Sequence, residues 1–424
     1  MKVGYKKSAL GEIPVDWEVV RLGDLASNEK HSFIDGDWIE SPFITNSGVR
    51  LIQTGNIGIG TFIEKNKKYI SEQSFKELRC KEIKEEDVLI CRLASPVGRA
   101  CLLPKLETKN ITCVDVTICR PNNNVDRIFL VNYLNYKPTL NRMKNLSGGS
   151  TRQRINRTNL GNLKIPIPPL QEQQKIAEIL STVDAKISII DEQISETQNL
   201  KKGLMQSLLS KGIGHTEFKK SALGEIPKSW EVKEINEVTS YVDYRGKTPP
   251  KVKEGILLVT AKNIKMGRID YETSKEYIPK ELYDEVMSRG IPKIGDILIT
   301  TEAPLGNVAS VDKENIALAQ RVIKYRSNDN ILYDNYLKYY MLSPLFQLLL
   351  EKESTGSTVK GIKGSRLHKL KVLIPPLKEQ QKIASILNSV DEKLGVLSEK
   401  KSYYQNLKKG LMQQLLTGLV RVSV

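Results

Sequence analysis

The 424-residue sequence is poor in the groups that most catalysis needs. It holds three histidines, His31, His215 and His368, and none forms a recognisable pattern with a nucleophile. Its five cysteines (Cys80, Cys91, Cys101, Cys113 and Cys119) are odd in number, fall in the first half and include no C-x-x-C pair. Neither a zinc site nor a disulfide framework is expected; buried free thiols in a reducing compartment are. No run approaches eighteen apolar residues, so no membrane span is expected. The opening "MKVGYKKSALGEIP" has no apolar stretch behind its basic start and does not read as a signal peptide. The expected location is the cytoplasm.

Catalytic signatures are missing too. "RGKTPP" at 245–250 contains G-K-T, but position 241 is Tyr where a phosphate-cradling loop needs Gly. No N-P-P-Y or D-P-P-Y tetrapeptide is present, and "IPPL" lacks its polar head. No G-x-S-x-G elbow occurs. The expectation is a chain with no catalytic residues, no metal and no cofactor of its own.

What the sequence does have is positive charge, a formal +16. A protein this basic usually meets a polyanion, most often nucleic acid. A Lys-rich solvated surface, as heat-adapted or AT-rich genomes encode, is the alternative. The 40% hydrophobic content is enough for ordinary cores.

It also has a long repeat. "KKSALGEIPVDW" at 6–17 returns as "KKSALGEIPKSW" at 219–230, nine consecutive residues unchanged. "IPPLQEQQKIAEILSTVDAKI" at 167–187 returns as "IPPLKEQQKIASILNSVDEKL" at 374–394, with 15 of 21 positions identical, and "QNLKKGLMQ" at 198–206 returns at 405–413. The first motif recurs after 213 residues and the later ones after 207. Such a period is too long for a solenoid and means duplicated domains. The ends of each unit are near copies, whereas the middles, roughly 18–155 and 231–362, share only echoes such as Asn56-Ile57 with Asn263-Ile264. One fold carrying two different surfaces accounts for this.

After Pro168-Pro169 the pattern turns helical, with Glu172 where the helix dipole favours an anion. Apolar residues recur at spacings of four and three: Ile176, Leu180, Val183, Ile187, Ile190 and Ile194, then Leu204 and Leu208 after a break at Thr197 and Lys201. The second copy runs Ile383, Leu387, Val390, Leu394 and Leu397, breaks at Lys401 and Lys408, and resumes at Leu411 and Leu415. A seam held this long predicts a coiled coil. Each helix of about 40 residues would span about 60 Å. The second can pair with the first only by running back along it. The predicted fold is α+β: two globular variable domains separated by two long antiparallel helices, a dumb-bell with a pseudo-two-fold internal repeat. The predicted boundaries are 1–166, 167–210, 211–373 and 374–424. Gly203 and Gly410, inside the late seam, read as close-approach points or kinks. "DVLIC", "ILLVT" and "DILIT" read as buried strands, and "VNYLNYKPTLNRMKNL" and "LYDNYLKYYMLSPLFQLLL" as helices.

Loops carry the binding candidates. "GGSTRQRINR" (148–157) offers Ser150 and Thr151 as phosphate donors and Arg152 and Arg154 for phosphate or a guanine edge. Its counterpart "TGSTVKGIKGSR" (355–366) offers Thr358, Lys360 and Lys363. Tyr244, Arg245 and Lys247 form a weaker group. Arg92 and Arg99 flank "LASPVG", with Thr301 and Glu302 at that place in the second copy. Asn56, Lys262 and Asn263 complete the set of DNA-contact candidates.

A "GEIPxxW" start, a variable domain and an "IPPLxEQxxIAxxL" helix, then the same order again, resembles the specificity subunit of type I restriction–modification enzymes. The resemblance covers the whole chain. It implies that each variable domain reads one half of a split double-stranded DNA sequence, and that each is similar to the small recognition domain of adenine-N6 methyltransferases. It implies that the helices space the domains and dock two modification subunits, with restriction (motor-nuclease) subunits joining them. S-adenosylmethionine, ATP and magnesium would belong to those partners. An enzyme with an unrecognised site, a protein-binding scaffold and the DNA-binding subunit of another modification system are the competing readings.

Overall fold

The computed structural model describes residues 3–244 and 249–423, which divide into two compact units. The first joins Met1–Asp191 to Lys400–Val424; the second is Glu192–Glu399. Each unit is α+β, and the sequence repeat is a repeat of fold.

In the first unit a four-stranded sheet runs in the order 33–35, 116–119, 88–91, 100–102, and in the second its equivalent runs 239–243, 322–327, 297–301, 305–310. The strands Val88–Cys91 and Ile297–Thr301 are buried at every residue. That is why "DVLIC" and "DILIT" are continuous apolar runs rather than alternating ones. A second sheet pairs 49–52 in parallel with 110–112, and its equivalent pairs 256–259 with 316–318. The two aromatic-faced helical stretches each divide, into Arg127–Asn135 with Lys137–Asn145 and Asp334–Leu342 with Pro344–Glu353. In the second the cause is direct: Ser343 precedes Pro344 and is extended (ψ 151°), as the proline ring requires of its predecessor.

The two long helices are α1 (Leu170–Lys211) and α2 (Leu377–Leu415). In the first unit α1 residues Asp184 and Asp191 meet α2 residues Lys408 (2.7 Å) and Lys401 (2.5 Å). Numbers rise on one helix as they fall on the other, so the pairing is antiparallel. In the second unit Lys201 meets Asp391 at 2.5 Å, the same pair of repeat positions as Lys408 and Asp184, 207 residues apart. The lysines that interrupt the apolar seam therefore fix its register. Gly203 and Gly410 are neither close-approach points nor breaks. Both helices run through them, and a Cβ at either would meet nothing within 4 Å.

Local contacts explain why the copied ends were copied together. Trp17 and Trp230 are fully buried, and their indole N–H groups donate to Glu172 (2.9 Å) and Glu379 (3.0 Å) in the first turns of α1 and α2. The next residue, Gln173 or Gln380, is also fully buried. Gln173 accepts from the Asp126 amide and donates to the carbonyls of Asn124 and Pro168. Gln380 does the same with Tyr333, Ile331 and Pro375. The "GEIPxxW" and "PPLxEQ" motifs are thus two halves of one clasp joining each repeated domain to its helix. Each clasp Glu takes further partners: Arg421 at 2.7 Å on Glu172, and His215 at 2.8 Å with the Ile213 N–H at 3.0 Å on Glu379.

Candidate nucleic-acid interface

The loop 148–154 is closed at its base by reciprocal backbone bonds, Gly148 N–H to Arg154 O (3.0 Å) and Arg154 N–H to Gly148 O (2.9 Å). Loop 355–361 is closed identically, by Thr355 and Gly361 at 2.8 and 2.9 Å. A glycine follows the first base residue in each, Gly149 with φ 95° and Gly356 with φ 108°, a left-handed turn that other residues resist. Both loops are stitched to the end of the equivalent central strand: Ile155 N–H donates to Arg92 O, and Ile362 N–H to Thr301 O, both at 3.0 Å. Identical scaffolds therefore display different tips.

Those tips are exposed. Ser150, Thr151, Arg152 and Arg154 on one loop, and Thr358, Lys360 and Lys363 on or beside the other, all face solvent. Arg154 is steadied by Asp115 at 2.7 Å, and Lys360 pairs with Glu351. Lys262 is exposed and lines a concavity with Lys251, Gln320 and Arg321. Arg321 pairs with Glu302 at 2.6 Å, and the Glu302 backbone bridges Gly361 at the base of the loop. Five cations of the second unit, Lys251, Lys262, Arg321, Lys360 and Lys363, thus lie on this loop, beside it or around the concavity next to it.

Two of these residues were not legible from the motifs. Asp115 and Arg321 occupy the same turn, between strands 110–112 and 116–119 in one unit and 316–318 and 322–327 in the other. In the first unit the turn carries the anion and the loop base the cation; in the second the turn carries the cation. The only signal for this in the sequence is the strand alignment itself, which brings the two charges to one position.

Other candidates prove to be scaffold. Asn56 is 3% exposed; its amide donates to the carbonyls of Ile63 and Lys65, and its oxygen accepts from the Gln53 amide. Asn263, fully buried, binds Asp270, Ser274 and Thr260 in the same way. Both close a turn and have no group left for a base. Arg92 is 3% exposed, paired with Asp35 at 3.0 Å and bonded to the carbonyls of Val114 and Ile155. Burial pulls its guanidinium below the ordinary value, and Asp35 opposes that shift. Arg99 is spent on the carbonyls of Ile57, Thr54 and Pro96. Tyr244 is buried, donates to Gly290 O, and burial pushes its hydroxyl upward. Arg245 and Lys247 lie outside the described residues. None of the described histidine contacts resembles an activated base: His368 is buried against Tyr325 and stacked on Tyr241, and His215 serves the clasp.

The family model "Type I restriction modification DNA specificity domain" matches residues 14–199 and 227–402. The specificity subunit of the type I restriction enzyme MjaVIII of Methanocaldococcus jannaschii is 29% identical, over 97% of this chain and 94% of the relative. That of EcoKI from Escherichia coli is 23% identical, over 80% and 75%. A type I restriction–modification S subunit from M. genitalium shares the fold with a TM-score of 0.58 at 16% identity, over 94% of this chain and 96% of that one. Among the described residues no helix is long and apolar enough to cross a membrane.

Proposed function

This chain belongs to the type I restriction–modification DNA specificity family, and from that premise we propose that it is a non-catalytic reader of a bipartite DNA sequence. One half-site is read by the surface around loop 148–154 and the other by the surface around loop 355–361. The observation that carries this is the pair of identically closed loops with unlike cationic tips. Phosphates are gripped by Ser150, Thr151, Arg152, Thr358, Lys360 and Lys363, while Arg154 and Arg321, each steadied by a carboxylate, are the candidates for base edges. Two weak readers on one chain gain affinity from effective concentration when the gap between half-sites fits. The helix pair sets that gap.

Modification subunits dock on the helices. In support, Ile189 and Val396, and Leu200 and Leu407, are exposed apolar residues at the same two repeat positions, as two copies of one partner would require. S-adenosylmethionine, ATP and magnesium are carried by those subunits and by the motor-nuclease subunits. Methylation-sensitive sequencing of a host carrying this chain with its modification partner tests the reading. A split motif is expected, and exchanging 148–154 for an unrelated loop should alter one half of it only. An unsplit motif, or loss of both halves together in a folded variant, would overturn it.

A further inference from the structure

Of the three tryptophans, Trp17 and Trp230 are fully buried in the clasps, whereas Trp38 is 72% exposed. It has no hydrogen-bond or ring partner among the described residues, yet it is firmly held. Gly36 N–H donates to Val116 O (2.9 Å) and Asp37 N–H to Thr112 O (2.8 Å). A side chain at Gly36 would collide with the carbonyls of Thr112 and Cys113. The buried Asp37 carboxylate accepts from the Lys81 amide and ammonium. Ile39 packs beside Val49, Leu51 and Ile70. With 37 and 39 turned inward, the backbone turns Trp38 out. An indole held out in water, rather than folded back onto the surface, presents a large rigid face that a ligand can cover.

The surroundings indicate what covers it. Asp35, three residues away and so within about 11 Å along the chain, faces Arg157 at 3.8 Å. Asp37 bridges Cys113, two residues before the Asp115 that holds Arg154. The backbone that carries Trp38 is therefore anchored beside the turn that holds Asp115 and its partner Arg154. Along the chain the next exposed large apolar side chains on either side of it are Val15 and Ile59. A lone aromatic beside cations suits nucleic acid, where arginines take phosphates and the ring takes a base or sugar face. A protein partner of useful affinity needs a contiguous apolar patch. We propose that Trp38 is a specificity-determining contact of the first half-site, laying its indole against a nucleotide of the duplex. This rests on the DNA-reading function proposed above and adds a contact that the second unit need not share.

The test uses this chain labelled with 5-hydroxytryptophan, assembled with unlabelled modification subunits. In the assembly without DNA, acrylamide should quench one of the three labels. Cognate duplex should abolish that quenching, while anisotropy of the labelled duplex reports binding independently. Trp38→Ala should weaken binding about 10- to 100-fold, with Trp38→Phe recovering most of it. Competition by duplexes altered in the first half-site should lose its effect in Trp38→Ala and keep it for the second. Tight duplex binding with Trp38 still quenchable would overturn the inference and leave the DNA reading intact. Protection by modification subunits alone would assign Trp38 to a protein interface instead. No duplex binding at all would overturn the DNA reading itself, and this inference with it.

Discussion

Cys119 has no exposed surface, and burial pushes its thiol up to about 12 from an ordinary 9.0. Cys101 is raised to about 12, and Cys80 and Cys113 to about 11, chiefly by the same desolvation. A raised thiol pKa means the fold favours the neutral form. The associated stability is present below pH 9, where both states are protonated, and is lost as pH climbs from 9 toward 12. Thiol titration of the native chain at pH 8 should find Cys91, Cys101 and Cys119 unreactive until denaturant is added. The urea midpoint should fall above pH 9, less steeply in Cys119→Ala. On the DNA side, Arg152→Ala should weaken binding and flatten the salt dependence by about 0.9 in log–log slope, the loss of one phosphate contact. Lys360→Ala should behave alike but more weakly, since Lys360 already pairs with Glu351 in the free chain. At this scale the sequence was a partial guide. Hydroxyls and cations clustered in a glycine loop could be read as exposed. Asn56, Asn263, Arg92 and Arg99 could not be placed, because a polar side chain that caps distant carbonyls has the same local sequence as one that meets a ligand. Trp38 carries no local signal, because a single aromatic outside any periodic run has no pattern to mark it.

Elements were far more legible, because their signals are periodic and add over many residues. The seam positions of α1 and α2 are buried or half-buried throughout, including Thr197, which interrupts the apolar pattern yet is 4% exposed. The glycines were the misreading. In a helix interior, glycine commonly marks a contact or a bend, but only coordinates tell open space from a close neighbour. The consequence is measurable. Gly203→Ala and Gly410→Ala should each stabilise the chain by about 0.5–1 kcal/mol, because alanine lowers the entropy lost on folding and meets no clash at either site. Chemical denaturation checks this: a raised midpoint at unchanged m-value is expected, and a lowered one would mean that these positions are constrained after all.

The whole molecule shows why its two ends were copied and its middles were not. The clasp requires Trp, Glu and Gln together, so "GEIPxxW" and "PPLxEQ" can change only in concert. Nothing of that kind ties the tips of loops 148–154 and 355–361, whose bases alone are fixed by backbone bonds. On the DNA-reading function proposed above, duplication with divergence yields one scaffold with two specificities and makes the spacing between the half-sites a property of the helices. Removing 190–196 from α1 together with 397–403 from α2 deletes one heptad from each and leaves Ile189, Leu200, Val396 and Leu407 in place. The Asp184–Lys408 and Lys201–Asp391 pairs both survive this and stay in register. Seven helical residues rise about 10 Å, or about three base pairs at 3.4 Å each. The shortened chain, assembled with its modification subunits, should therefore keep both half-site sequences and prefer a gap about three base pairs smaller. Selection from a duplex library with randomised gap length reads this out. Half-sites retained at an unchanged gap would show that something other than helix length sets the spacing.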